Sequence, residues 1–290
     1  MKTTALRERM REDLRLAGLG ERTQEAYVRA VRQLAEHYWR SPDTLSEEEI
    51  RAYFLYLTNV KHFARPSMTI ALSGIKFFYE RTCRREWNIF DVVRPRREYR
   101  LPAILSPEEV RLLLSHVKPF WSYACLSTIY GCGLRLQEGT HLQVGDIDSA
   151  RGFIHVHHGK GAKDRYVPLP DRTLALLRQQ WKTHRNPVWL FPAPGRGGNH
   201  MPAADRPLPK SSVQGAFRRA LKVSGIAKHV SVHSLRHCYG THLMEAGVNL
   251  RQIQENMGHR SPKTTALYTH LTAEGRRESF VKLNDLMGKL

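Results

Sequence analysis

The chain has 290 residues, 41% of them hydrophobic. That is enough to fill one large core or two ordinary ones, and it excludes a wholly disordered chain. Lys and Arg number 46 against 27 Asp and Glu, a formal charge of +19; a polyanion would relieve that self-repulsion, with nucleic acid the first candidate and an anionic membrane surface the second.

Residues 1–100 carry 20 basic and 14 acidic side chains, and residues 101–290 carry 26 and 13, so both halves are basic. The N-terminal stretch has no apolar signal-peptide core, and no run of about 18 apolar residues offers a membrane span. A cytoplasmic, nucleoid-associated protein with no membrane partner is expected. Cys83, Cys125, Cys132 and Cys238 form no CxxC pair, so reduced core thiols are expected rather than a zinc ribbon.

In "TQEAYVRAVRQLAEHYW" (23–39), Tyr27, Val31, Leu34 and Tyr38 recur at spacings of three and four, which predicts an amphipathic helix. "LSEEEIRAYFLYLTN" (45–59) pairs Ser46 with Glu49 as a capping box, and "MTIALSGIKFFYERTC" (68–83) reads as a further helix. A small helical bundle is expected over residues 1–98. The basic, proline-interrupted stretch 92–103 reads as a linker, with the boundary near 98–103 and a second domain over 99–290. Ser106, Pro107 and Glu109 then restart a helix.

The second half is mixed. Helices are predicted for "EEVRLLLSHV" and for "SYACLSTIYGCGLRLQEGTHL", the latter interrupted by glycines. "GFIHVHH" and "DRYVPLP" alternate with period two around "GKGAK", which predicts a hairpin with a basic tip. Helices follow in "RTLALLRQQWKTHR", "SSVQGAFRRALKVSGI", "SLRHCYGTHLMEAG" and "NLRQIQENMGH", with a long Pro/Gly loop at 191–209. The fold class is therefore mainly α with a small β-hairpin.

Several polar patterns invite chemistry. Arg135 and Glu138 stand three apart in an apolar, Gly-rich setting, so Arg135 is expected to be partly buried, with Glu138 holding one side of its guanidinium and a ligand the other. His233 and Arg236 share a helix face and suit an anion clamp, though a solvated basic face has the same spacing. Lys160 stands at the hairpin tip, with Lys163 its rival. Metal-binding sets are conceivable on His233, His237 and His242 or on His155, His157 and His158. The first lacks a carboxylate at ligand spacing and the second lacks a companion acid, so no metal and no cofactor are expected.

The ordered set of "GCGLRLQE", "GKGAKDRYVPLP", "HSLRHCYGTHL" and "MGHRSPKTTALYTH", with Tyr268 nine residues after His259, strongly resembles the tyrosine recombinases, the phage-integrase and Xer-like family. The resemblance is close over roughly residues 101–275 and looser over the N-terminal helices. Departures are Met257 where leucine is usual, a near-isosteric swap, "YGCG" where "YATG" or "YGTG" is commoner, and the longer 191–209 loop. The resemblance implies a SAM-like core-binding domain followed by a mixed α/β catalytic domain.

It also implies a site made of Arg135, Lys160, His233, Arg236, His259 and Tyr268. Tyr268 would be the nucleophile on a DNA phosphate, giving a 3′-phosphotyrosyl bond without metal or ATP. The implied partner is double-stranded DNA bound by a homo-tetramer, with Phe280, Leu283 and Leu286 on a C-terminal helix passed between neighbours. Two other readings share these residues: a DNA-binding regulator of the same fold, and topoisomerase-like strand relaxation.

Overall fold

The computed structural model describes residues 4–94, 102–159, 163–195 and 200–258. The chain divides into two compact units, Met1–Tyr99 and Arg100–Leu290, each with its own apolar core.

The first unit is helical throughout. Helix α1 (Ala5–Leu16) starts where the Thr4 side chain accepts from the Arg7 amide, and it buries Met10 and Leu14. Helix α2 (Glu21–Tyr38) turns Val28, Ala30, Val31 and Leu34 inward, the face set by the 3–4 periodicity, while Tyr27 and Tyr38 are half-buried. Helix α3 (Glu47–Asn59) opens on the expected capping box, with the Glu49 amide donating to Ser46 Oγ and the Ser46 amide to the Glu49 carboxylate. Helix α4 (Arg65–Phe77) packs along α2 and widens at its end into a π-turn over Phe78–Thr82. The short α5 (Ile89–Val92) is fastened by its first amide, Ile89 N, donating to Glu47 Oε1 at 2.8 Å.

The second unit is built around α7 (Phe120–Gly131), which is apolar on all sides and buries Ala124, Cys125, Leu126 and Ile129. A helix of that kind must be surrounded. Its neighbours are α6 (Pro107–Ser115), α9 (Asp171–His184), α10 (Lys210–Ser224) and α11 (Val232–Glu245). Helix α6 begins with the Ser106–Glu109 box read from the sequence, and α10 stops at Gly225 in the left-handed region.

A short α8 (Leu136–Thr140) leads to an antiparallel sheet of order β1–β2–β3: Ile147–Asp148, Phe153–Gly159 and Lys163–Pro168. The sequence predicts β2 and β3; β1 is too short to show a period. Ile154 pairs with Val167 and Val156 with Arg165, and the register shifts between Val156 and Gly159. Ile154, Val156 and Val167 are buried, so the opposite face carries His155, His157, Asp164 and Tyr166. Helix α12 (Leu250–Met257) packs on β3.

The 191–209 loop is anchored on both flanks. Leu208 N donates to Phe191 O and Ala193 N to Arg206 O, and the buried Asn186 amide donates to the carbonyls of Met201, Pro202 and Ala204. Among the described residues, no helix is long and apolar enough to cross a membrane.

Candidate active site

The site begins at the turn after α7. Gly133 has φ +60°, and a Cβ there would lie 2.4 Å from Tyr239 Cδ1, so only glycine fits the turn. The turn delivers Arg135 to the N-cap of α8. Its amide donates to Glu138 Oε2 at 2.7 Å and its Nη1 to Glu138 Oε1 at 2.6 Å. This is the i,i+3 pair read from the sequence, but it is not alone.

Arg165, from β3, grips the same carboxylate with both arms, Nη1 to Oε1 at 2.9 Å and Nη2 to Oε2 at 2.8 Å. Arg236, from α11, brings Nη1 to 3.7 Å from Glu138 Oε2. Burial by itself would raise the Glu138 carboxyl; the Arg165 hydrogen bonds and charge, with the Arg135 amide and guanidinium, outweigh it and hold the group at about 2.

The same guanidiniums also hold the end of α12. A helix leaves its last carbonyls without partners, and they carry the negative end of the macrodipole. Here Arg165 Nε donates to Asn256 O at 3.0 Å, Arg236 Nη2 to Met257 O, and Arg135 Nη2 to Gly258 O at 3.2 Å. Arg236 Nη1 also donates to Gly133 O at 2.6 Å. The turn before α8, strand β3, helix α11 and the exit from α12 are therefore laced through one carboxylate and four carbonyls. Exposure separates the arginines: 24% of the Arg135 side chain meets solvent, 11% of Arg165 and 2% of Arg236. Arg135 has the open side expected of it.

His233 lies in the first turn of α11, one helical turn before Arg236. Its residue is exposed, yet local desolvation of the ring, then the charges of Arg236 and Arg135, hold its pKa below the ordinary value. Its ring meets that of His237 edge-on, with centroids 4.7 Å apart. His237 is pushed down to about 4, first by burial and then by His233 and Arg236. Both imidazoles are neutral at pH 7. His242 is a structural pin, with Nδ1 at 2.8 Å from Tyr130 Oη and Nε2 at 2.9 Å from Leu105 O. Both its nitrogens are spent, so it belongs to no His233/His237 metal set.

The structure corrects the sequence reading of the strand histidines. His155 and His157 do have companion acids: Asp164 on β3, and Asp146 from the turn before β1. His155, His157 and Asp146 border a cavity of about 470 Å³ that is also lined by Arg135, Glu138 and Trp189.

Of the residues singled out from the sequence, Arg135 and Arg236 come together around Glu138, and His233 lies within reach of the charge of both. Lys160, His259 and Tyr268 lie outside the described residues, as do His270 and the C-terminal segment with Phe280, Leu283 and Leu286. The residue that sequence reasoning missed is Arg165. Its signal was the period of β3: with Val167 inward, Arg165 falls on the core face, where an arginine needs a buried partner.

Residues 103–274 match the phage integrase family, and residues 6–89 match the phage integrase N-terminal SAM-like domain. A putative integrase/recombinase of Sinorhizobium fredii is 40% identical over 92% of this chain and 85% of its own length. Tyrosine recombinase XerC of Halalkalibacterium halodurans is 30% identical over 79% of this chain and 78% of its own. In fold, the chain is similar to a lambda integrase fragment solved as a dimer bound to a core site, at a TM-score of 0.73 and 16% identity, over 92% of this chain and 95% of that one. The arginine-gripped carboxylate and the helix end it holds thus stand in a chain that belongs to the phage integrase family of tyrosine recombinases, enzymes that cleave and exchange DNA strands.

Proposed function

We propose that this chain cleaves and rejoins DNA at specific sites through Tyr268. The phenolate oxygen attacks the scissile phosphorus, a P–O bond forms to the tyrosine, and the 5′-oxygen leaves. The product is a 3′-phosphotyrosyl link and a free 5′-hydroxyl. Attack by the 5′-hydroxyl of a partner strand reverses the step, so the bond energy is conserved and neither ATP nor a metal ion is consumed. Arg135 and Arg236 balance the charge that builds on the non-bridging oxygens. Lys160 protonates the leaving 5′-oxygen. His233 and His259 hydrogen-bond the phosphate or take the tyrosine proton.

The observation that carries this reading is the arginine–Glu138 hub. Arg135 and Arg236 each bring an Nη1 within 4 Å of the Glu138 carboxylate, so two guanidiniums are fixed side by side before any phosphate arrives. Preorganisation of this kind is what charge stabilisation requires. The hub also grips the carbonyls of Asn256, Met257 and Gly258, one residue before His259. It therefore sets where the segment bearing His259 and Tyr268 departs. His233, neutral at pH 7, can donate to a phosphate oxygen or accept a proton.

Residues 1–98 act as a DNA-binding unit and residues 99–290 as the catalytic unit. The charge of +19 meets the duplex backbone, and four copies act on two sites. The test is covalent trapping on nicked duplexes of candidate target DNA. An SDS-resistant adduct is expected, at full yield in EDTA and absent in Tyr268→Phe. Tight DNA binding with no adduct would favour a regulator, and an adduct surviving in Tyr268→Phe would place the nucleophile elsewhere.

A further inference from the structure

The outer face of the hairpin carries a cluster that strand transfer does not use. His155 Nε2 lies 3.3 Å from Asp164 Oδ2, and His157 Nδ1 lies 3.6 Å from the same oxygen. The imidazole centroids are 3.9 Å apart, and one ligand atom from each of the three residues falls within 4.8 Å of the others. Around a four-coordinate ion with bonds near 2.0–2.1 Å, neighbouring donor atoms stand roughly 3.3 Å apart. The two separations to Asp164 Oδ2, 3.3 and 3.6 Å, are close to that spacing.

A second observation fixes which nitrogen faces the cluster. His157 Nε2 lies 2.8 Å from Asp146 Oδ1. Asp146 is buried at 6% exposure, and its Oδ2 accepts from the Gln143 amide at 2.8 Å. The Asp146 carboxylate thus stands behind His157 Nε2, and Nδ1 is the nitrogen on the Asp164 side. Two imidazole nitrogens and one carboxylate oxygen gathered this closely form a donor set of the kind that holds a metal ion. A carboxylate behind the far nitrogen is also the arrangement that orients metal-binding imidazoles. Tyr166 stacks on His155 at 4.7 Å and 15°, which fixes the second ring.

We propose that His155 Nε2, His157 Nδ1 and Asp164 Oδ2 bind one divalent transition-metal ion of the zinc class, with water in the remaining position and Asp146 as outer support. Two imidazoles and one carboxylate suit such an ion, whereas magnesium and calcium prefer all-oxygen sites. The ion fastens β2 to β3 on either side of residues 160–162.

The test uses the full chain freed of metal. Zinc is titrated by calorimetry, and cobalt(II) by the visible absorption that marks tetrahedral coordination. One saturable equivalent is expected, lost in His155→Ala and in His157→Ala and weakened about 10–100-fold in Asp146→Asn. Bound zinc is expected to slow amide exchange in residues 153–168 of the parent chain and not of His157→Ala. Circular dichroism without metal checks that each variant folds; should His157→Ala fail, Asp164→Asn takes its place. Absence of saturable binding at submillimolar metal would overturn the proposal. An equivalent retained in the His155→Ala/His157→Ala double variant would overturn it too, by placing the ion elsewhere.

Discussion

The two units place their charges in opposite ways. In the first, ion pairs such as Arg11–Glu8, Arg32–Glu36 and Arg51–Glu48 lie on solvent faces at helical spacing. Thr82 is the buried polar residue among those described there. In the second, three guanidiniums turn inward onto Glu138, whose side chain is 8% exposed. Exposed pairs contribute little and are screened by salt. A buried carboxylate is tolerated only when its partners and hydrogen bonds are nearly complete. The first unit can therefore lose any one of these exposed pairs cheaply, while the second has staked its local order on one residue. Such concentration is common where a site must hold charge ready.

The largest test of that contrast is Glu138→Ala. It removes the carboxylate that Arg135, Arg165 and Arg236 share, and breaking a buried network in this way costs about 3–5 kcal/mol. Chemical denaturation should show the loss in the transition of the second unit, with the first unmoved. A cost below about 1 kcal/mol would mean that solvent already screens the hub.

Next comes Gly133→Ala, which combines a left-handed backbone with a Cβ 2.4 Å from Tyr239 Cδ1. A loss of about 3 kcal/mol is expected, from strain and overpacking together. Gly225→Ala has a similar φ of +69° but nothing within 4 Å of its Cβ, so it should cost only about 1 kcal/mol. Equal losses would show that backbone strain, not the Tyr239 contact, governs the turn.

Acid should separate the units as well. Glu138 is held at about 2 against an ordinary 4.5. A depressed carboxyl contributes stability above its unfolded pKa and loses it as pH falls through the folded one. The second unit should therefore lose about 3 kcal/mol between pH 4.5 and 2. His237, lowered from 6.5 to about 4, acts earlier. The unfolded chain binds its proton first, so stability is full above pH 6.5 and declines as pH falls toward 4. Thermal melts of the second unit that stay level from pH 7 to pH 4 would contradict the neutral, half-buried His237.

Local rules made most of the fold legible. The boxes at Ser46–Glu49 and Ser106–Glu109 are written within a few residues and form as read. The Arg135–Glu138 pair was legible for the same reason. What the sequence did not display is long-range. Arg165 meets Glu138 only because the hairpin returns β3 to the start of α8, and Asp146 meets His157 only through the turn before β1. The carbonyls of Asn256, Met257 and Gly258 are backbone groups with no residue signature, yet they take up as much of the arginine fork as Glu138 does.

The smallest prediction tests whether the contrast belongs to the units or to burial. Arg251–Glu255 is an i,i+4 pair in the second unit with side chains 73% and 61% exposed, close in kind to Arg32–Glu36 in the first. If burial is what counts, Glu255→Gln and Glu36→Gln should each cost about 0.3–0.5 kcal/mol and become indistinguishable from the parent in high salt. Glu255 also sits on α12, immediately before Asn256, whose carbonyl is the first that the arginines hold. A cost above about 1 kcal/mol at Glu255 alone, persisting in salt, would mean that the hub reaches back along α12 and that the special part of the second unit is the helix end as a whole rather than the carboxylate.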